Sequence, residues 1–133
     1  MNRRVFFALC VIATSGALVA QPAPNSDWLG VWQGELDGQP SVVLTLADDG
    51  GTLGGTVVLN VIQKENGQAH IAGIEPHVLL NPHIDGETLA FQFRKLDGDL
   101  ADFTVQRTAT GEAKIHCLNC GSGAPTVNIV RAK

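Results

Sequence analysis

The sequence predicts an all-β domain, an antiparallel up-and-down β-barrel of 8–9 strands. Three observations support this prediction. Apolar and polar residues alternate with a period of two in several short runs, as in sheets with one buried face. Pairs of Asp, Asn or Thr with Gly separate these runs, and such pairs are suited to hairpin turns because both residues can adopt a positive φ. No segment combines a helical period with capping residues.

The N-terminal stretch is typical of a secretory signal peptide. Arg3 and Arg4 provide the positive region, residues 5–19 carry no charge, and small residues end at Ala20. The apolar run is short for a membrane span, which needs about 20 apolar residues. We therefore expect residues 1–20 to be removed, residues 21–26 to be a flexible spacer, and residues 27–133 to form the barrel domain. The protein is then exported, periplasmic or secreted, with no membrane association after cleavage.

The first strand-like run, Leu29–Leu36, contains Trp32 between Gly30 and Gly34. Glycine inside a strand marks a bend or a close approach of another backbone. A buried tryptophan contributes a large apolar area, but its indole N–H needs a hydrogen-bond acceptor. We therefore expect Trp32 to close one end of a curved sheet.

Later runs supply the predicted barrel interior. The alternation places the following residues on inward faces, and we expect them, with Trp32, to surround any bound ligand: Leu44, Phe91, Phe93, Phe103 and Ile115. Residues 73–85 are the least regular segment because Pro76 and Pro82 restrict it to an edge strand or an ordered loop. This segment is the doubtful ninth strand.

Composition excludes some classes of partner. The formal net charge is −4, and loss of Arg3 and Arg4 would make it −6. An acidic chain argues against nucleic acid or anionic lipid as the partner. The chain has no tyrosine and only two tryptophans, which leaves little material for stacking on bases. We expect a monomer with no cofactor.

The motif Gly30-Val31-Trp32, followed by a β-meander, resembles the calycin group of lipocalins, fatty-acid-binding proteins and avidins. In lipocalins the tryptophan closes the bottom of the barrel and a basic residue of the last strand packs across it. The resemblance therefore implies that Arg131 packs across Trp32. The tyrosine-containing second lipocalin motif and the tryptophan-rich pocket of avidins are missing. The chain is more similar to short exported bacterial domains that open with Gly-x-Trp-x-Gly-x-Leu, a resemblance that implies a fold and no particular activity.

The Cys117-Leu118-Asn119-Cys120 segment is the clearest chemical motif. In an exported protein, two cysteines at this spacing predict a small structural disulfide, for which Asn119 and Gly121 supply the turn. A redox-active dithiol is an alternative, with His116 favouring a thiolate. A zinc site would need His116 and another histidine in addition to the two cysteines. His77, His83 and Asp85 match no recognised metal motif, and we expect no metal.

Three functions remain open from the sequence. The first is a non-catalytic exported binding domain that holds a small apolar ligand in the barrel. The second is a protein-interaction or inhibitor module with a closed core. The third is a thiol-redox or metal-dependent protein that uses Cys117, Cys120 and His116. We expect the first, with a small apolar molecule or a protein as the partner and no catalytic residues.

Overall fold

A computed structural model describes residues 26–133, which form nine antiparallel strands in one sheet. The predicted all-β, up-and-down fold is confirmed, and the doubtful ninth strand is present. The strands are β1 (Gly30–Leu36), β2 (Gln39–Asp49), β3 (Thr52–Glu65), β4 (Gln68–Val78), β5 (Leu80–Asp85), β6 (Thr88–Arg94), β7 (Leu100–Ala109), β8 (Glu112–Cys117) and β9 (Thr126–Arg131). The predicted signal peptide and residues 21–25 of the predicted spacer lie outside the described residues.

The hairpin turns follow the Asx-Gly pairs of the sequence. Asp37 and Gly38 have φ values of 53° and 77°, and Asn66 and Gly67 have φ values of 53° and 77°. Two successive positive φ values define the type I′ hairpin turn, whose twist matches that of the flanking strands. These turns fix the β1–β2 and β3–β4 pairings.

The sheet curls into a half-barrel. Its strand order is β4-β3-β2-β1-β9-β8-β7-β6-β5, so β1 pairs with β9 and the two outermost strands are β4 and β5. These two strands are consecutive in the chain and are separated only by Leu79. The Leu79 N–H donates to the Gly55 carbonyl oxygen at 3.0 Å, which ties this crossing point to β3. Leu79 therefore brings β4 and β5, the two edge strands, close to each other, and this fixes the curvature of the sheet.

The concave face of the half-barrel holds one apolar core. It contains Trp28, Trp32, Leu44, Leu89, Phe91, Phe103, Val105, Ile115 and Ile129, with further Val, Leu and Ala residues. The Phe91 and Phe103 rings stack with centroids 5.4 Å apart, and Phe93 lies 5.2 Å from Phe103. Within residues 26–133, no helix is long and apolar enough to cross a membrane.

One end of the half-barrel, which we call the plugged end, is filled by two tryptophans. Trp32 Nε1 donates to the Trp28 carbonyl oxygen at 2.8 Å, and the two rings lie 5.7 Å apart. The Arg131 guanidinium lies 5.1 Å from the centroid of the Trp32 ring and donates to the Asp27 carbonyl oxygen. The structure therefore places Arg131 against Trp32 in the arrangement that the calycin resemblance implies.

Arg107 holds the segment that precedes β1. Its guanidinium lies 5.8 Å from the centroid of the Trp28 ring and makes two hydrogen bonds to Glu87, at 2.6 and 2.9 Å. The Asp27 carboxylate lies 3.4 Å from Arg107 Nη1. The hydrogen bond to Glu87 raises the pKa of Arg107 above its ordinary value. A guanidinium stays protonated in proteins, so Arg107 carries its positive charge beside Glu87 and Asp27.

Gly34 allows β9 to approach β1 closely. A Cβ atom at this position would lie 2.6 Å from the Asn128 carbonyl oxygen and less than 3 Å from the side chains of Val127 and Ile129. This geometry agrees with the expectation that Gly34, two residues after Trp32, lets a neighbouring strand pass close to β1.

Candidate functional site

The end of the half-barrel opposite the tryptophans is open and forms a groove with two lobes. The first lobe has a volume of about 370 Å³ and the second about 390 Å³. Both lobes are lined by Leu59, Glu75, Phe103 and Cys120, so they are continuous. Each volume falls in the usual range of small-molecule sites, about 300–1,000 Å³.

Apolar side chains make up most of the lining of each lobe. The first lobe adds Val42, Val61, Ile115 and Val127 to the shared residues. The second lobe adds His77, Phe93, Lys95, Leu96, Asp97 and Ala101. The lining is thus a mainly apolar surface with a few polar groups, which is the usual composition of a ligand pocket.

The register of β3 and β4 determines which polar groups face the groove. Leu59 pairs with Glu75 and Val57 pairs with His77, and residues paired across an antiparallel ladder lie on the same face. Glu75 and His77 therefore share the concave face with the buried Val57. The neighbouring apolar residues of β4 point the other way, so Ile74 is 66% exposed and Val78 is 68% exposed.

His77 is the most unusual side chain of the groove. Its ring stacks on Phe93 with centroids 3.9 Å apart, and its side chain is only 12% exposed. Its Nε2 atom is buried and has no hydrogen-bond partner among residues 26–133. The nearest carboxylate oxygen, Glu75 Oε2, lies 3.8 Å away, which is too far for a hydrogen bond.

A disulfide forms part of the groove wall. Cys117 and Cys120 are bonded, with their Cα atoms 5.6 Å apart, as the spacing predicted. Asn119 holds the intervening turn, because its amide donates to the Leu100 carbonyl oxygen and its side-chain oxygen accepts from the Asp102 N–H. His116 does not contact the sulfur atoms through a hydrogen bond; its Nδ1 lies 3.2 Å from Thr126 Oγ1.

The predicted ligand-binding residues divide into two groups. Phe93, Phe103 and Ile115 line the groove. Trp32 and Leu44 are fully buried and paired with each other across β1 and β2, so they fill the core near the plugged end. Phe91 packs on Phe103 from within the core.

The two histidines of residues 73–85 do not converge. His77 faces the groove, whereas His83 Nδ1 lies 2.9 Å from the Asn81 carbonyl oxygen. In the part of the chain that the structure describes, no group of three or more His, Cys, Asp or Glu residues is placed to hold a metal ion.

Sequence reasoning missed Trp28 and Glu75, and it considered His77 only as a possible metal ligand. Trp28 supplies the acceptor for Trp32, and its only sequence signal is its spacing of four residues from that tryptophan. Glu75 and His77 give the groove its polar groups, but no motif marks them. Comparisons of the chain with protein-family models, with curated proteins and with solved structures found no match.

Proposed function

We propose that this protein is an exported, non-catalytic binding domain that holds one small apolar molecule in the groove. The observation that carries the proposal is the continuous, mainly apolar groove at one end of a half-barrel whose other end is filled by tryptophans. A filled end supplies stability, and an open end offers apolar surface to a ligand. Relationship to the calycin group, in which such an arrangement serves ligand binding, is part of the same proposal.

The state of the cysteines supports binding rather than thiol chemistry. Cys117 and Cys120 are joined in a disulfide, and the loop between them is held by Asn119. A disulfide is also compatible with an oxidising compartment outside the cytosol. Export to the periplasm or medium, with cleavage after Ala20, is therefore included in the proposal.

Two matched variants test the proposal. Val61 is 39% exposed and lines the first lobe, whereas Val78 is 68% exposed and lies on the outer face of β4. Val61→Trp fills the groove, and Val78→Trp adds the same side chain outside it. Binding is measured by the fluorescence of N-phenyl-1-naphthylamine, a neutral apolar probe. We expect Val61→Trp to weaken binding about tenfold or more, a change of about 1.4 kcal/mol, and Val78→Trp to leave it unchanged.

Native mass spectrometry of the protein recovered from the periplasm or medium provides a second measurement. A retained small organic molecule identifies the ligand class directly. Failure of the wild-type protein to bind any of several neutral apolar probes would overturn the proposal. Equal losses of affinity in Val61→Trp and Val78→Trp would also overturn it, because binding would then not depend on the groove.

A protein-interaction module is the second candidate. The exposed apolar side chains of β4, Ile74 and Val78, favour it, because apolar residues clustered on an outer face mark interaction surfaces. Under this alternative, Val78→Trp changes partner binding and Val61→Trp does not. The same two variants therefore distinguish the two functions.

A further inference from the structure

The polar groups of the groove indicate which end-group a ligand carries. His77 Nε2 is buried without a hydrogen-bond partner among the described residues, and Glu75 Oε2 lies 3.8 Å from it. A buried polar atom that stays unpaired destabilises the structure, so a ligand group that pairs with His77 removes a cost that the free protein bears. The Glu75 carboxylate, 46% exposed, faces the same space.

The separation of these two atoms suits a single bridging group. A third atom can lie within hydrogen-bond distance of both Glu75 Oε2 and His77 Nε2, because they are 3.8 Å apart. A protonated amine has several N–H donors, so it can donate to the Glu75 carboxylate and, in the tautomer whose Nε2 carries no hydrogen, to His77 Nε2 at the same time. With that same tautomer, a hydroxyl group has only one hydrogen to donate and can pair with only one of these two acceptors.

Charge favours the same chemistry. Among the described residues that line the groove, the carboxylates of Glu75 and Asp97 stand against the one ammonium group of Lys95. An ionised carboxylate on a ligand would meet Glu75 as a like charge, whereas an ammonium group would pair with it in a partly water-excluded site. The stacking of His77 on Phe93 fixes the plane of the imidazole ring before a ligand enters.

We infer that the groove binds an amphiphilic amine, with the protonated amine between Glu75 and His77 and the apolar body along Leu59 and Phe103. This inference rests on the proposed function and specifies its ligand class. Fatty acids are poor ligands of the same site.

The experiment compares three compounds that share one alkyl chain: dodecylamine, dodecanol and dodecanoate. The affinity of each compound is measured by its ability to displace N-phenyl-1-naphthylamine from the wild-type protein. The measurement is made near neutral pH, at compound concentrations below micelle formation. We expect dodecylamine to bind more tightly than either of the others by roughly tenfold to a hundredfold, the usual worth of a hydrogen bond to a charged group. Glu75→Gln removes the charge with little change of shape, and we expect it to abolish this difference.

Glu112→Gln is the matched control, because it makes the same substitution at an exposed position of β8 that lines neither lobe. We expect the variant to retain the selectivity for the amine. Folding of both variants is checked by thermal unfolding.

The outcomes separate the inference from the proposed function. If the three compounds bind with equal affinity, or if dodecanoate binds best, the inference is wrong and the groove remains a site for apolar molecules. If Glu112→Gln and Glu75→Gln lose selectivity equally, the overall charge rather than the Glu75–His77 pair selects the amine, which also overturns the inference. If the wild-type protein binds neither the probe nor any of the three compounds, the proposed function itself fails.

Discussion

The close approach of β9 to β1 makes Gly34→Ala a sharp test of the packing. A Cβ atom at Gly34 would lie 2.6 Å from the Asn128 carbonyl oxygen, a backbone atom that cannot rotate away. It would also lie 2.8 Å from Ile129 Cγ2 and 2.9 Å from Val127 Cγ1. The variant must therefore separate the two strands or displace buried side chains.

The expected magnitude combines two opposing effects. Overpacking of a well-packed core costs about 1–3 kcal/mol. Replacement of glycine by alanine also lowers the entropy of the unfolded chain, which stabilises by about 0.4–1 kcal/mol where the native backbone accepts alanine. The difference between the two effects is a loss of about 0 to 2.6 kcal/mol, with a central expectation of about 1.3 kcal/mol.

Gly54→Ala is the matched control, because no atom of another described residue, its two chain neighbours aside, lies within 4 Å of a Cβ at this strand position. We expect the control to be neutral or slightly stabilising, since only the unfolded-state effect remains. Urea denaturation measures both variants. With an m-value of about 2 kcal/mol/M, a loss of about 1.3 kcal/mol lowers the midpoint by about 0.65 M. Equal midpoints for Gly34→Ala and Gly54→Ala would show that β1 and β9 do not pack as described.

Two further predictions concern the plugged end and the disulfide. Trp32→Ala should lower the free energy of unfolding by about 3–5 kcal/mol, because it leaves a cavity in the core. Trp32→Phe should lower the free energy of unfolding by about 1–3 kcal/mol, because the buried Trp28 carbonyl loses its hydrogen-bond donor. A loss below about 1 kcal/mol for Trp32→Ala in urea denaturation would contradict the plug. Cys120→Ser should lose about 2 kcal/mol, the chain-entropy estimate for so short a loop, and should leave binding of the apolar probe intact. Loss of probe binding at unchanged stability would instead show that the disulfide shapes the ligand site.

Local signals in the sequence were sufficient to predict the strand count and the hairpins. The type I′ turns at Asp37-Gly38 and Asn66-Gly67 depend on φ values that Asx-Gly pairs adopt easily, so a two-residue pattern determines each turn. The alternation of Leu89, Phe91 and Phe93 marks one buried face, and the structure buries all three. Such features depend only on neighbours in the chain.

The candidate site could not be predicted because it depends on register between distant strands. Alternation alone would turn Ile74 and Val78 toward the core, yet they are exposed, and Glu75 and His77 face inward. A shift of one residue exchanges the two faces of a strand. In β4 the face is set by the pairing with β3, whose ladder contains an irregularity at Val61 and Ile62, and no local pattern encodes that irregularity.

Each end of the half-barrel holds one buried side-chain nitrogen without a hydrogen-bond partner among residues 26–133, Arg131 Nε at the plugged end and His77 Nε2 at the open end. The Arg131 guanidinium still donates to the Asp27 carbonyl oxygen through another nitrogen and lies over the Trp32 ring, and it lines neither lobe of the groove. At the plugged end the indole N–H of Trp32 has its acceptor and Arg107 is paired with Glu87. At the open end, His77 Nε2 is buried without a partner among residues 26–133, and its ring stacks on Phe93. The unpaired nitrogen of His77 is a feature that a polar ligand group can exploit, because pairing it removes the cost of a buried polar atom without a partner. Because the two ends share few residues, substitutions at Trp32 should act on stability and substitutions at Glu75 on selectivity, with little overlap between the two effects.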